Sequence, residues 1–161
     1  VLHEQIEKKY RPNVAAIVLS SKYPDKCELF IAKRNDVPDA WQFPQGGIDK
    51  GESQREALFR ELKEEIGTNN VEIVGRFPGW ISYDFPKALS ERMYPYDGQK
   101  QQYYLVRLKN GTKIDLNVGN PEFSDYKFIG INSVLDHITY FKRHVYRKVL
   151  SHFIKEGYLL C

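Results

Sequence analysis

Glu61, Glu64 and Glu65 stand three and four positions apart near the end of the segment GGIDKGESQREALFRELKEEIGT, which runs from Gly46 to Thr68. Residues at that spacing on a helix share a face, with Cβ atoms about 5–6 Å apart, so three carboxylates converge on one patch. Like charges so placed cost a helix roughly 0.2–0.5 kcal/mol per pair. A hard cation that prefers oxygen ligands, such as magnesium, is the natural neutraliser. Divalent ions held there screen phosphate oxygens, orient a polyphosphate and lower the pKa of a bound water until it attacks. The bland alternative is a solvated charged face in which Arg60 pairs with Glu56 and Glu64 four positions away.

The surrounding elements favour the chemical reading. Ser53 followed by Glu56 is a capping box that starts the helix, and Gly67 is a C-terminal stop. Ala57, Leu58, Leu62 and Ile66 form an apolar stripe that docks the helix on a core. Docking aims the acidic face in one direction. Gly46 and Gly47, just before the helix, let a backbone or a substrate approach closely.

Gly46, Glu52, and the run Arg60-Glu61-Leu62-x-Glu64-Glu65-x-Gly67 resemble the Nudix box, the signature of hydrolases acting on nucleoside diphosphates linked to another group. Thr68 stands where an aliphatic residue is usual. The resemblance implies an α/β/α sandwich with a mixed sheet. It also implies that Glu61, Glu64 and Glu65 hold Mg2+ (or Mn2+ or another divalent cation), one of them serving as base. Glu52 is either an outer metal contact or a cap on the turn before Ser53, and Arg60 orients the glutamates through charge-assisted hydrogen bonds.

Further segments narrow the resemblance to one branch of the family: Tyr10-Arg-Pro-Asn-Val14, Trp41-Gln-Phe-Pro-Gln-Gly-Gly47, Gly98-Gln-Lys-Gln101, Pro121-Glu-Phe123 and Phe141-Lys-Arg-x-Val-Tyr-Arg147. That branch hydrolyses the 5′-terminal polyphosphate of RNA and also dinucleoside polyphosphates. It implies Glu122 as a further metal-proximal carboxylate, and Arg34 and Phe141 as the pair that sandwiches a base next to the 5′ end. Lys142 contacts that nucleotide, and Arg11, Lys33, Gln45 and Lys100 are expected phosphate partners, with Gly46 and Gly47 at the substrate. The bland reading of Phe141 is packing at a helix start. Lys142, Arg143, Arg147 and Lys148, interleaved with Tyr140, Phe141 and Tyr146, are expected to face outward as a cationic rim, because Val145, Val149 and Phe153 face the core. Such a rim makes RNA binding weaken as salt rises.

Composition sets the frame. A chain of 161 residues with 42% apolar and 28% charged residues reads as one globular domain, 1–161. No apolar run approaches the ~18 residues that span a bilayer, and the opening residues carry no secretory pattern. Cys27 and Cys161 have no metal spacing and are expected to form no disulfide framework, which places the protein in a reducing cytoplasm. A net charge of +3 is too small to declare a nucleic-acid binder by itself.

Strands are expected at Val14–Leu19, Glu28–Ala32, Val71–Val74, Trp80–Tyr83, Gln101–Leu108 and Tyr126–Ile129, with a polar loop through Pro86 and Pro95 and a helix from Phe141 to Lys155. Three functions follow as alternatives. They are hydrolysis at the 5′ end of polyphosphorylated RNA, hydrolysis of dinucleoside polyphosphates, and a non-catalytic RNA-binding module; no membrane partner is expected, and whether a protein activator exists is left open.

Overall fold

A computed structural model describes residues 7–138 and 140–161, the side chain of Tyr140 excepted; the opening residues on which the reading against a leader rests lie outside them. The strands are β1 (Tyr10–Leu19), β2 (Leu29–Arg34), β3 (Trp41–Gln42), β4 (Gln45–Gly47), β5 (Val71–Arg76), β6 (Ile81–Asp84), β7 (Gly98–Leu108) and β8 (Phe123–Ile129). The helices are α1 (Gln54–Ile66), α2 (Lys87–Arg92), α3 (Ile131–His137) and α4 (Tyr140–Lys155).

β1 and β7 run parallel in register from Tyr10↔Gly98 to Leu19↔Arg107, and the other pairings between strands are antiparallel. The mixed sheet has the order β3-β2-β1-β7-β5, with β4 on β1, β6 on β7 and β8 on β2. Val14 to Leu19 is buried without a break because both faces of β1 are covered, the pattern of a central strand. Ala15, Ile17 and Leu19 enter one core with Val145, Val149 and Phe153 of α4. Ala16 and Val18 enter the other with Leu58, Leu62 and Ile66 of α1. The result is the expected α/β/α layering.

One irregularity makes room for a site. β2 pairs with β1 only at Leu19↔Leu29, and further along β1 its place is taken by β4, from Asn13↔Gly47 to Ala15↔Gln45. The strands splay there, and a cleft opens between them on the α4 side.

Several elements differ from the sequence reading. β1 and β7 each begin earlier, at Tyr10 and Gly98, because their polar starts pair with one another rather than with an apolar partner. The expected loop after Pro86 contains α2; Leu89 and Ser90 both donate to Pro86 O at 2.9 Å, and the proline's fixed φ suits a helix start. Lys142 does not face out with the other basic residues of α4. It falls on the same stripe as Val145, Tyr146, Val149 and Phe153, and is buried.

The cysteine expectation is corrected as well. Gly157 turns the chain back at φ 79° after α4, and Tyr158 N and Leu159 N close the turn on Phe153 O, each at 3.0 Å. The Tyr23 hydroxyl then donates to Tyr158 O (2.9 Å) and accepts from Leu160 N (2.8 Å). That clasp brings Cys161 to Cys27, with Cα atoms 5.4 Å apart, and the two form a disulfide.

The capping box of α1 is present with both its hydrogen bonds, and Leu62 is 1% exposed between helix and sheet. Ser53→Ala is expected to cost about 1 kcal/mol and Leu62→Ala about 2–5 kcal/mol, read as shifts in the urea midpoint at constant m.

Candidate active site

The cleft holds about 520 Å³, within the range of small-molecule sites. Its acidic wall is the last turns of α1 together with Glu122, which directly precedes β8. Asn35 N donates to Glu122 O at 3.0 Å, so the end of β2 sets where Glu122 stands.

Arg60 is the hub of the acidic wall. Its guanidinium donates to Glu52 Oε2 (2.7 Å) and Oε1 (2.8 Å), to Glu61 Oε1 (2.8 Å), to Glu64 Oε2 (3.2 Å) and to Gly47 O (2.8 Å). Helix, preceding turn and β4 are thereby tied to one cation. Glu52 also accepts from Asp49 N (3.0 Å), and the Arg60 hydrogen bond above all holds its carboxyl down at about 2. Glu52 closes the turn and does not line the cleft.

Glu65 differs from its neighbours in being buried, 5% exposed, with Gln45 N donating to its Oε2 at 3.1 Å. Burial pushes its carboxyl well above the usual range, and the Glu122 and Glu61 charges push further. Glu61 is raised too, by burial first, against the pull of Arg60.

These groups fit a divalent cation by their chemistry. Glu61, Glu64, Glu65 and Glu122 offer hard oxygen donors to one cleft, and the repulsion at Glu65 calls for a positive charge that Arg60 does not supply. Among the described residues no three such side chains already stand in coordination geometry, because Glu61 and Glu64 are turned toward Arg60.

The two glycines are needed as glycines. A Cβ on Gly46 would overlap the Glu61 carboxyl, and one on Gly47 would overlap the Arg11 guanidinium. Their bare backbone lets a carboxylate and a cation reach the same strand.

The opposite wall carries cations and rings. Arg34, Lys142, Phe141 and Tyr83 line it, with the Tyr83 and Phe141 rings 5.8 Å apart. Lys142 Nζ stands 5.8 Å from both rings and donates to Gln42 Oε1 at 3.3 Å. Burial, and then the Arg34 charge, bring its pKa down to about 8. Arg34 is gripped by Asp36 through two hydrogen bonds of 2.8 and 2.7 Å, which occupy one edge of the guanidinium and fix its plane.

Most of the sequence-derived residues therefore meet here: Arg11, Arg34, Gln45, Gly46, Gly47, Glu61, Glu64, Glu65, Glu122, Phe141 and Lys142. Lys33 and Lys100 do not line the cleft. Lys33 Nζ lies 3.9 Å from Asp39, and Lys100 stands over the Trp80 ring at 4.9 Å. Lys100 alternates along β7 with the buried Gln99 and Gln101, so it faces the other side of the sheet. Arg143, Arg147 and Lys148 are exposed on α4. Asn13, Asp36, Tyr83 and Gln99 line the cleft without having been singled out in the sequence. No local signal marked Gln99, which the β1–β7 register sets beside Arg11 and the β6–β7 register sets opposite Tyr83.

A carboxyl whose folded-state pKa is raised loses stability for the fold as pH climbs above its unfolded value near 4.5. With chelator present, Glu65→Gln is accordingly expected to melt higher than wild type at pH 8. Added Mg2+ should raise the wild-type Tm, more at pH 8 than at pH 6, and leave the variant nearly unmoved, while turnover drops on the order of 10²–10³-fold. For Lys142 the sign is opposite: its lowered pKa means a buried charge costs stability below about 8, and that cost fades as pH rises toward 10.5. Lys142→Met should melt higher than wild type at pH 7, with the gap closing by pH 10, and should raise KM for a nucleotide substrate.

The NUDIX domain model matches residues 9–149. An RNA pyrophosphohydrolase of a Nitratiruptor species is 65% identical over 152 residues, covering 94% of this chain and 98% of that protein. One of Helicobacter pylori is 58% identical over 154 residues, covering 96% and 99%. Among solved structures, the E. coli dihydroneopterin triphosphate pyrophosphohydrolase superposes with a TM-score of 0.69 at 17% identity, covering 88% of this chain and 97% of the other. A C. elegans Ap4A hydrolase complex superposes with a TM-score of 0.65 at 18% identity, covering 89% and 98%. The two structures are similar in fold alone, whereas the family model and the close relatives span the splayed strands, the box helix and the cleft described above, and the chain belongs to the Nudix family of hydrolases.

Proposed function

We propose that this enzyme, acting as a single domain, hydrolyses a phosphoanhydride bond at the 5′-triphosphate or 5′-diphosphate end of RNA. The product is a 5′-monophosphate end that opens messenger RNA to 5′-end-dependent decay. The observation that carries this reading is the juxtaposition, in one cleft, of the carboxylate wall with Arg34 and Phe141. A flat cation and a ring suit an unstacked base, and such stacking is worth roughly 1–3 kcal/mol per base. The names of the relatives at 58–65% identity agree with it.

Glu61, Glu64, Glu65 and Glu122 would hold Mg2+, which when bound supplies charge neutralisation and a water of lowered pKa. One of these glutamates would take a proton from the attacking water. Arg11 would bind phosphate oxygens where it crosses Gly47. Arg34, held flat by Asp36, and Phe141 would stack the base, with Lys142 beside them. Gln45 is a further phosphate partner, as is Lys33 for a longer strand leaving the cleft, whereas Lys100, on the other face of the sheet, is withdrawn from that role. The exposed Arg143, Arg147 and Lys148 would add the salt-dependent attraction.

Hydrolysis of dinucleoside polyphosphates is the second reading, favoured by a cleft whose lining also includes Phe85, Leu89 and Met93, apolar side chains that would suit a second base. The full set of box glutamates weighs against a module that only binds.

Turnover of 5′-triphosphorylated RNA and diadenosine tetraphosphate, mixed at equal concentration, separates the readings. The RNA should have the higher kcat/KM, and a much higher value for the dinucleotide would sink the proposal. Phe141→Ala should lower RNA turnover about tenfold and hydrolysis of a short nucleotide less; equal losses would remove Phe141 from the site.

A further inference from the structure

Asn13 is 1% exposed at the floor of the cleft, and its Nδ2 has no hydrogen-bond partner. A buried donor is seldom left that way without a ligand or water to meet it. The chain of amides behind it explains which way it points. Gln101 lies beside Asn13 in the β1–β7 register, and its Nε2 donates to Asn13 Oδ1 at 2.9 Å and to Gln45 Oε1 at 2.8 Å. Both hydrogens of one NH2 group are therefore used on two carbonyl oxygens. The nitrogens of Asn13 and Gln45 are turned away from Gln101. The Tyr83 hydroxyl, next to Gln45, donates onward to Gln99 Oε1 at 3.1 Å. The links thus run outward from Gln101, on one side to Asn13, whose own donor is left at that end, and on the other through Gln45 and Tyr83 to Gln99.

We propose that Asn13 Nδ2 is a phosphate-binding donor of the active site, giving a hydrogen bond to a non-bridging oxygen of the substrate's polyphosphate. Gln101 is the positioning residue that sets the polarity of Asn13 and Gln45. The inference rests on the phosphoanhydride substrate proposed above. Arg11 stands two residues earlier on β1, on the same side of the strand, and lines the same cleft, so a charge and a neutral donor converge there. A neutral amide suits this place because it adds a donor without a third cation beside Arg60 and Arg11. The opposite polarity would have Gln101 Oε1, which also has no partner, accept from both neighbours. It would then aim two carbonyl oxygens at a cleft already lined by Glu61, Glu64 and Glu65.

Isosteric acids test this. Asn13→Asp keeps the acceptor for Gln101 and replaces the outward donor by a charged oxygen. Gln101→Glu can only accept when ionised and has one donor in place of two when protonated, so in either form it cannot hold both Asn13 and Gln45 in their present polarity. Measured are kcat and KM for 5′-triphosphorylated RNA, the Ki of inorganic pyrophosphate in Mg2+, and Tm, with Asn13→Ala as reference.

Both acids should raise KM and Ki together by about tenfold or more, with kcat changed much less and Asn13→Asp worse than Asn13→Ala. Unchanged KM and Ki in Asn13→Asp would overturn the donor assignment. A Gln101→Glu protein that folds and keeps the wild-type Ki would overturn the positioning role. Should that variant fail to fold, Gln101→Met, which removes the donor without adding charge, takes its place: an elevated Ki supports the role and a wild-type Ki overturns it. If wild-type enzyme hydrolysed no triphosphorylated RNA, the substrate reading would fail, while the pyrophosphate Ki would still decide the subsite.

Discussion

A single guanidinium holds the acidic face together. Arg60 reaches Glu52 in the turn, Glu61 and Glu64 on its own helix and the carbonyl of Gly47 on β4. Without it, a helix with three carboxylates on one side would be docked on a sheet with its charges unopposed, and repulsion would compete with the apolar stripe beneath. With it, the stripe of Leu58, Leu62 and Ile66 fixes the distance of the helix from the sheet, and Arg60 fixes its relation to the strand. The arrangement is still incomplete at Glu65, whose burial and neighbours leave it raised. That residual frustration is what a cation would relieve, so stability and function are coupled at one side chain.

The splay between β2 and β4 is the second determinant. A continuous sheet edge would place β2 against Asn13 and leave no cavity; instead β4 occupies that edge and the end of β2 swings to the far wall. Arg34 at the end of β2 then faces the α1 carboxylates across the gap. Asn35 carries the 121–123 segment with it through hydrogen bonds to Glu122 O and Pro121 O. The cleft is therefore built from chain segments far apart in sequence, and Glu122, which travels with Arg34 at the end of β2, is brought against Glu65 of α1.

How much of this was legible in the sequence follows from the range of each interaction. The box was legible because its logic is local: capping, helical spacing and glycine all operate within a few residues. The α/β/α layers followed from resemblance, whereas the unbroken burial of Val14–Leu19 would have matched a central strand in many folds. Lys142 was misplaced because basic type outweighed position, although its spacing from Val145, Tyr146 and Val149 marks the inward stripe. Asn13 and Gln101 were not read as a pair, since nothing local links residues 88 apart until parallel strands set them side by side. The Cys27–Cys161 bond depends on a reversal at Gly157 and a clasp on Tyr23, neither of which composition announces.

The Arg34–Asp36 fork has an entropic meaning. A long side chain that must be ordered when a base arrives loses rotamer freedom at that moment, which subtracts from affinity, by about 0.5–1.5 kcal/mol for a rotamer-rich side chain. Asp36 has already taken that freedom from Arg34 during folding, leaving the faces of the guanidinium plane clear for stacking. On the stacking role proposed for Arg34, the cost of order moves from the binding step to the folding step, where the whole sheet shares it, and the wall that would meet a base is in place beforehand.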